Sequence, residues 1–320
     1  MRANIFALNT FSFCVDQIPF GYAYNFDNYL FNKIKHINTQ GLGDRADYFL
    51  INNVKKRIEA KIHFLLDEKK AYSPYKSLFG SFEFNPKIHP NLLGEFWGFI
   101  ESDLKSRKIE NVKITNFAGG YAPKKAEMVL KTMDKSGFHI TLKAVNHHIT
   151  IDEDPLDERM HSMEKRRLNK CKKNGFTFRE EPLTNANEIY DYIQSCREEQ
   201  GLKVSLPREK FMYYLTDFPQ NYPFFSVRMG NQIMAATITI KIHRHILYNF
   251  LPGSLRTHKQ FSPTVLLNAG LYNYCRNHQF RILDLGISTE PNGRDQETLI
   301  DFKERIGGEI SYKYYFEKSL

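Results

Sequence analysis

The chain has 320 residues, 42% of them hydrophobic and 25% charged, so it is neither a disordered nor a fibrous protein, and its length predicts two domains, each with its own core. No apolar run approaches the ~20 residues that a membrane-spanning helix needs. The 45 Lys and Arg outweigh the 36 Asp and Glu to give a formal net charge of +9, which favours an anionic partner: a nucleotide cofactor, tRNA, or a phosphorylated sugar or lipid. Cys14, Cys171, Cys196 and Cys275 lie far apart without metal-type spacing, and no basic leader or small-residue cleavage site opens the sequence. The expectation is a cytoplasmic protein with reduced thiols and no metal.

Ile5, Phe6, Phe11 and Phe13 read as an opening strand. Gly41, Gly43 and Asp44 mark a turn before a helix or strand pair over 47–67, and Ser73, Pro74 and Gly80 bracket a loop. An apolar-rich helix over 92–104 then leads to a strand at Val112 and Ile114. A second helix over 128–133 stops at Gly137 and gives way to a strand ending near Thr150. An acidic, Pro-containing stretch over 152–158 is the domain boundary, dividing the chain into 1–152 and 153–320. Beyond it come a basic helix over 164–174 stopped by Gly175, a short strand at Phe176 and Phe178, an amphipathic helix over 187–199, and a helix opened by Pro207 that buries Phe211, Met212 and Leu215. Three antiparallel strands follow at 224–229, 233–242 and 246–251, turning at Gly230–Asn231 and 243–245. The pattern of 92–150 then returns: a helix over 265–275, a strand at Ile282 and Leu283, a helix over 299–306, a stop at Gly307 and a strand from Ile310. The two copies superimpose at one constant offset of 170 residues, with Gly137 and Gly307 at the same place, where a helix end favours positive φ. Two copies of one α/β unit normally leave a cleft, the usual seat of small-molecule chemistry.

The segment LPGSLRTHKQFSPTV, 251–265, carries the densest chemistry. Ser262 followed by Pro263 is a helix start, with a side-chain oxygen to cap free N–H groups and a proline with φ already set. Such a terminus attracts anions, and Arg256, His258 and Lys259 arrive just before it. The run KRRLNKCKK, 165–173, could meet tRNA phosphates, but no aromatics interleave with it, and a charge run on a helix is usually a solvated face. His147–His148 and His243–Arg244–His245 have no carboxylate at metal spacing. No nucleophile elbow, Walker loop or dinucleotide fingerprint is present.

Three stretches carry a family resemblance: MEKRRLNKCKKNGFTF (163–178), FRILDLGIS (280–288) and DFKERIGGE (301–309). With the order strand, strand, strand, helix, strand, helix, strand from Phe224, they resemble the acyl-CoA N-acyltransferase (GNAT) fold. The doubling resembles its two-copy branch, the Fem-type aminoacyltransferases. The resemblance implies a mixed α/β protein of two tandem GNAT-like domains, each a mostly antiparallel sheet flanked by helices, with the donor in the second. It implies an N-acyltransferase that moves an acyl group from acyl-CoA (acetyl-CoA) to an amine acceptor such as an amino sugar or cell-envelope precursor. The alternatives are an aminoacyl-tRNA-dependent enzyme and a non-catalytic RNA- or anion-binding protein. The long coiled-coil insertion of some tRNA-dependent members is missing, as is the Arg/Gln–x–x–Gly–x–Gly/Ala loop of ordinary GNAT enzymes. On this resemblance Arg256, Lys259, Ser262 and Thr264 bind donor phosphate. Lys303, beside Phe302, faces the transferred group and hydrogen-bonds the oxyanion. Asp284, Ser288 and Glu290 line the acceptor side, with Glu290 taking the amine proton. Tyr248, on the fourth strand, protonates the leaving group.

Overall fold

The computed structural model describes residues 10–320. By contacts the chain divides into two compact units. The first holds the chain up to Val145 together with Glu290–Arg294 and Ser311–Leu320; the second holds Asn146–Thr289 and Asp295–Ile310. Neither unit is one continuous stretch.

In the first unit, β1 (Phe11–Val15), β2 (Ala23–Tyr24) and the single turn α1 (Ile34–Ile37) precede β3 (Arg45–Asn52), β4 (Arg57–Asp67), β5 (Lys70–Ser73) and β6 (Glu83–Phe84). Then come α2 (Pro90–Ser106), β7 (Asn111–Thr115), α3 (Pro123–Lys135) and β8 (His139–Thr150), of which 139–145 belong here. The sheet order is β1-β3-β4-β5-β7, followed by residues 311–319 of the last strand and then β8. Strand alternation sorts β4 into two faces. Ala60, Ile62 and Phe64 join Phe96, Trp97 and Ile100 of α2 in the core. Lys61 and His63 on the other face are also buried, and each is paired: Lys61 with Glu83 at 3.1 Å, His63 with Asp47 at 2.6 Å.

The second unit opens with α4 (Leu156–Arg159), α5 (Ser162–Lys173), β9 (Thr177–Glu180), α6 (Ala186–Glu198) and α7 (Arg208–Asp217). It continues with β10 (Phe224–Met229), β11 (Gln232–His243), β12 (Ile246–Gly253), α8 (Pro263–Asn277), β13 (Ile282–Ile287) and α9 (Glu297–Arg305); β14 (Glu309–Ser319) closes the chain. Residues 146–150 of β8 start its sheet, in the order β8-β13-β12-β11-β10-β9. All neighbours are antiparallel except β12 and β13, which run parallel because α8 makes the crossover between them. Val265, Leu267, Leu271 and Cys275 of α8 bury one face of that sheet.

Most of the sequence expectations hold. The stretch 47–67 is a strand pair rather than a helix. Of the expected opening strand, Phe11 and Phe13 lie in β1, while Ile5 and Phe6 fall outside the described residues. In α7, Tyr214 is buried, whereas Met212 is only half-buried. The repeat is real, with Gly137 at φ 78° and Gly307 at φ 95°, but its offset is not constant. Pro90 and Pro263, which open equivalent helices, stand 173 residues apart.

Candidate functional site

β12 and β13 pair for only three residues, Ile246, Leu247 and Tyr248 against Ile282, Leu283 and Asp284. Each strand carries a bulge where they part. In β12, Thr239 faces Asn249 and Ile238 faces Leu251, so Phe250 is the extra residue. In β13, Leu285 is extra, and Gly286 sits at φ 76°. A bulge bends its strand and ends the local ladder, and Pro252 removes a further donor from β12. From Asn249 onward β12 therefore pairs with β11 alone, leaving an unpaired strand edge.

A cavity of about 530 Å³ is lined by this edge, by the first turns of α8 and by α9. Asn249, Pro252 and Gly253 supply the β12 wall, and Leu285, Leu299 and Phe302 the apolar one. Lys259, Ser262, Thr264, Phe302 and Lys303, all expected at the site, line it together. Arg256 does not; it is exposed, and its backbone N–H donates to Glu199 Oε2 at 2.9 Å. The cationic lining comes instead from Lys259, Lys303, Arg167 of α5 and Arg197 of α6. Neither arginine was legible as a site residue, because both sit in ordinary charged helix faces.

Ser262 is at the N-cap position of α8, yet its side chain does not cap the helix. The residue is left-handed, at φ 55°, and its hydroxyl donates backward to the Lys259 carbonyl at 3.3 Å. The expected cap is thus corrected by the backbone: in that conformation the hydroxyl turns away from the first-turn N–H groups. Polar order in the cavity wall comes instead from a buried chain. Thr237 Oγ1 donates to Asn249 Oδ1 (2.6 Å), Asn249 Nδ2 to Asn268 Oδ1 (3.2 Å), and Asn268 Nδ2 to the Thr264 carbonyl (2.8 Å). Two asparagines inside the apolar runs 246–251 and 265–275 were the available signal, since a buried amide needs partners.

Lys303 is 6% exposed, and its ammonium donates to the carbonyls of Gly286 (2.8 Å) and Ile287 (3.0 Å) and to Ser288 Oγ (2.9 Å). All three protons are engaged at the frayed end of β13, so none is free for an oxyanion. Burial pushes its pKa down to about 8, opposed by the charge of Asp284. Asp284 is buried and accepts from Asn146 Nδ2 and the Gly286 N–H, both at 2.9 Å, so its carboxylate holds the bulge. Tyr248 stands opposite Asp284 in the register, and its ring lies against Gly286. By strand alternation Tyr248 and the cavity-lining Asn249 point to opposite faces of the sheet. His147, opposite Gly286 on β8, is fully buried with no hydrogen-bond partner on either ring nitrogen. Burial, then the Lys303 and His148 charges, push it down to about 4 and keep it neutral. Glu290 is half-buried in a tight turn, its backbone N–H on the Arg294 carbonyl and its carboxylate accepting from Asn292 Nδ2. That turn clusters with the first unit.

The family of acetyltransferase (GNAT) domains matches residues 160–304, the stretch that contains the parted strands and all the cavity-lining residues but Ile306. The second unit is a GNAT acyltransferase domain. The family it matches carries out acyl transfer. Over most of the chain the fold is like that of FemX. The structure of FemX is similar over 92% of this chain and 94% of that one at a TM-score of 0.70, with 12% identity. A conserved protein from Bacteroides thetaiotaomicron gives 0.57 over 88% of each chain at 11% identity. L-PGS from Bacillus licheniformis gives 0.53 over 81% and 80% at 12% identity. At such identities these likenesses carry the fold alone. No curated protein matches the chain.

Proposed function

We propose that the GNAT domain transfers an acyl group from acyl-CoA to an amine, with an amino sugar or another cell-envelope precursor as the acceptor on family analogy. The observation that carries this reading is the parting of β12 from β13 beside the cavity at the start of α8. The residues suit the donor. An unpaired strand edge offers N–H and C=O groups to the amides of a pantetheine arm. Leu285, Leu299 and Phe302 suit its alkyl carbons, and Lys259, Arg167, Arg197 and the α8 terminus suit its phosphates. Bound there, the thioester supplies an activated carbonyl.

The acceptor nitrogen attacks that carbonyl directly. The C–N bond forms, the C–S bond breaks, the amine gives up its proton to solvent, and the thiolate takes a proton from Tyr248. Lys303 contributes its positive charge to the developing oxyanion through the field it sets up, and it keeps Ser288 and the β13 end in place. Asp284 is a positioning residue for the Gly286 bulge.

The test is calorimetric titration with coenzyme A, followed by transfer of radiolabelled acetyl from acetyl-CoA to a set of amino sugars. Micromolar-range binding, labelled product and a loss of about tenfold or more in kcat for Lys303→Met are expected. Failure of coenzyme A to bind overturns the reading. The exposed lysines of α5 that do not line the cavity, Lys172 and Lys173, favour charged tRNA as the second donor. That reading predicts aminoacyl transfer without coenzyme A binding. Saturable binding of tRNA with no transfer from either donor would mark a non-catalytic protein.

A further inference from the structure

The chain has no glycine-rich phosphate loop, and the acyl-CoA reading leaves open how residues 256–262 hold an anion-binding shape without one. We propose that α5 replaces that loop's glycines: Lys170 and Cys171 clamp the backbone before α8, and Arg167 supplies the phosphate contact.

Three consecutive carbonyls carry the argument. Lys170 Nζ donates to the Gln260 carbonyl at 2.9 Å. The Cys171 thiol donates to the Phe261 carbonyl at 3.0 Å and reaches the Ser262 carbonyl at 3.7 Å. A carbonyl turned toward a phosphate repels it, so an anion loop must turn its oxygens elsewhere. Glycine achieves this by adopting positive φ at no steric cost. Here Ser262 takes the positive φ, 55°, although it carries a side chain, and donors on α5 hold the oxygens that such a turn displaces. The clamp is built rather than incidental. Cys171 is fully buried, and burial pushes its thiol up to about 11, so the S–H stays a donor at neutral pH. The Lys170 ammonium lies over the Phe261 ring, which in turn meets Phe176 just after the helix.

The same helix face continues to the cavity. Glu164, Arg167, Leu168 and Cys171 follow the spacing of one helical stripe. Glu164 is buried and accepts from Arg167 Nη1 at 2.7 Å, which aims the half-exposed arginine along the cavity wall that it lines. Glu164 also lies 3.7 Å from Nε of Arg305 on α9, within ion-pair range, so one carboxylate faces a cation on each helix. Lys172 and Lys173 lie off this stripe and stay exposed. The run KRRLNKCKK is therefore not a uniform charged face: part of it belongs to the donor site.

This inference rests on the acyl-CoA reading, and its test keeps the two apart. Coenzyme A is titrated into the full chain and five variants, with pantetheine, which lacks the phosphates, as the second probe. Arg167→Gln and Lys170→Met, both on the helix surface, weaken coenzyme A by about tenfold or more and leave pantetheine unchanged. Cys171→Ser, which keeps a donor, stays within about threefold of wild type, and Ser262→Gly binds at least as well because glycine takes positive φ freely. Lys172→Gln is the off-stripe control and is expected to have no effect. Binding by the wild type with Arg167→Gln and Lys170→Met unchanged overturns the clamp and leaves the acyl-CoA reading standing. Equal weakening by Lys172→Gln also overturns it, in favour of a diffuse basic face suited to tRNA. No binding by the wild type overturns both.

Discussion

Lys303 both lines the cavity and holds the end of β13 in place. Its ammonium is surrounded by protein and held by three acceptors, and burial lowers its pKa to about 8 against an ordinary value of 10.5. Between those two values the unfolded chain carries a proton that the folded chain has shed. Unfolding there takes up a proton, so the Lys303 contribution to stability grows as pH rises through the window. Lys303→Met has nothing to titrate at this position. The difference in melting temperature between wild type and Lys303→Met is expected to be level up to about pH 8 and then to shift in favour of the wild type toward pH 10. A difference that stays level across the range would mean that the folded lysine keeps an ordinary pKa. The position was legible from the Phe–Lys pair at 302–303, but the engagement of all three protons was not. Nothing in a helix sequence announces which carbonyls a neighbouring strand has freed.

At the scale of elements the decisive event is the double bulge that separates β12 from β13. Gly286 makes it possible on one side, at φ 76° and with its missing Cβ pointed at the Tyr248 ring 3.0 Å away. Gly286→Ala meets both a left-handed backbone and an aromatic ring. It is expected to cost about 1–3 kcal/mol, read from the midpoint of urea unfolding, and to weaken coenzyme A binding as the strand end shifts. Unchanged stability and binding would show that the bulge does not depend on glycine. The Asp–x–Gly ending at 284–286 was readable as a strand terminus, because glycine in a strand marks a bulge or close approach. The matching bulge at Phe250 was not, since Tyr248, Asn249, Phe250 and Leu251 keep the composition of an ordinary strand. The same limit applies to Asn249 and Asn268. Each is visible as a polar residue in an apolar run, while their pairing across nineteen positions appears only in three dimensions. Boundaries set by local chemistry were the easiest to read: Pro207 and Pro263 open helices, and Gly137, Gly175 and Gly307 follow helix ends with positive φ.

For the whole chain the duplication was readable and the allocation of its terminal strands was not. Repetition shows in local periodicity, whereas the partner of a strand is set by distant hydrogen bonds. Residues 146–150 precede the acidic stretch at 152–158, yet their backbone pairs with β13. Residues 315–319 end the chain, yet they pair with β7 of the first unit. A cut between 152 and 153 therefore acts on both units at once. The fragment 153–320 loses the strand that completes the β13 side of the second unit's sheet, and it retains a tail whose partners are gone. Two unpaired edges in one fragment favour association between chains. The fragment 146–310 keeps every strand from β8 to β9 and omits the tail. It is expected to melt cooperatively and to bind coenzyme A within about tenfold of the full chain, while 153–320 aggregates or melts without a clear transition. Circular dichroism melting and calorimetric titration of the two fragments decide the matter. Equal melting temperatures and equal affinities would place the boundary at the acidic stretch, because they would show that the second unit's sheet stands without residues 146–150.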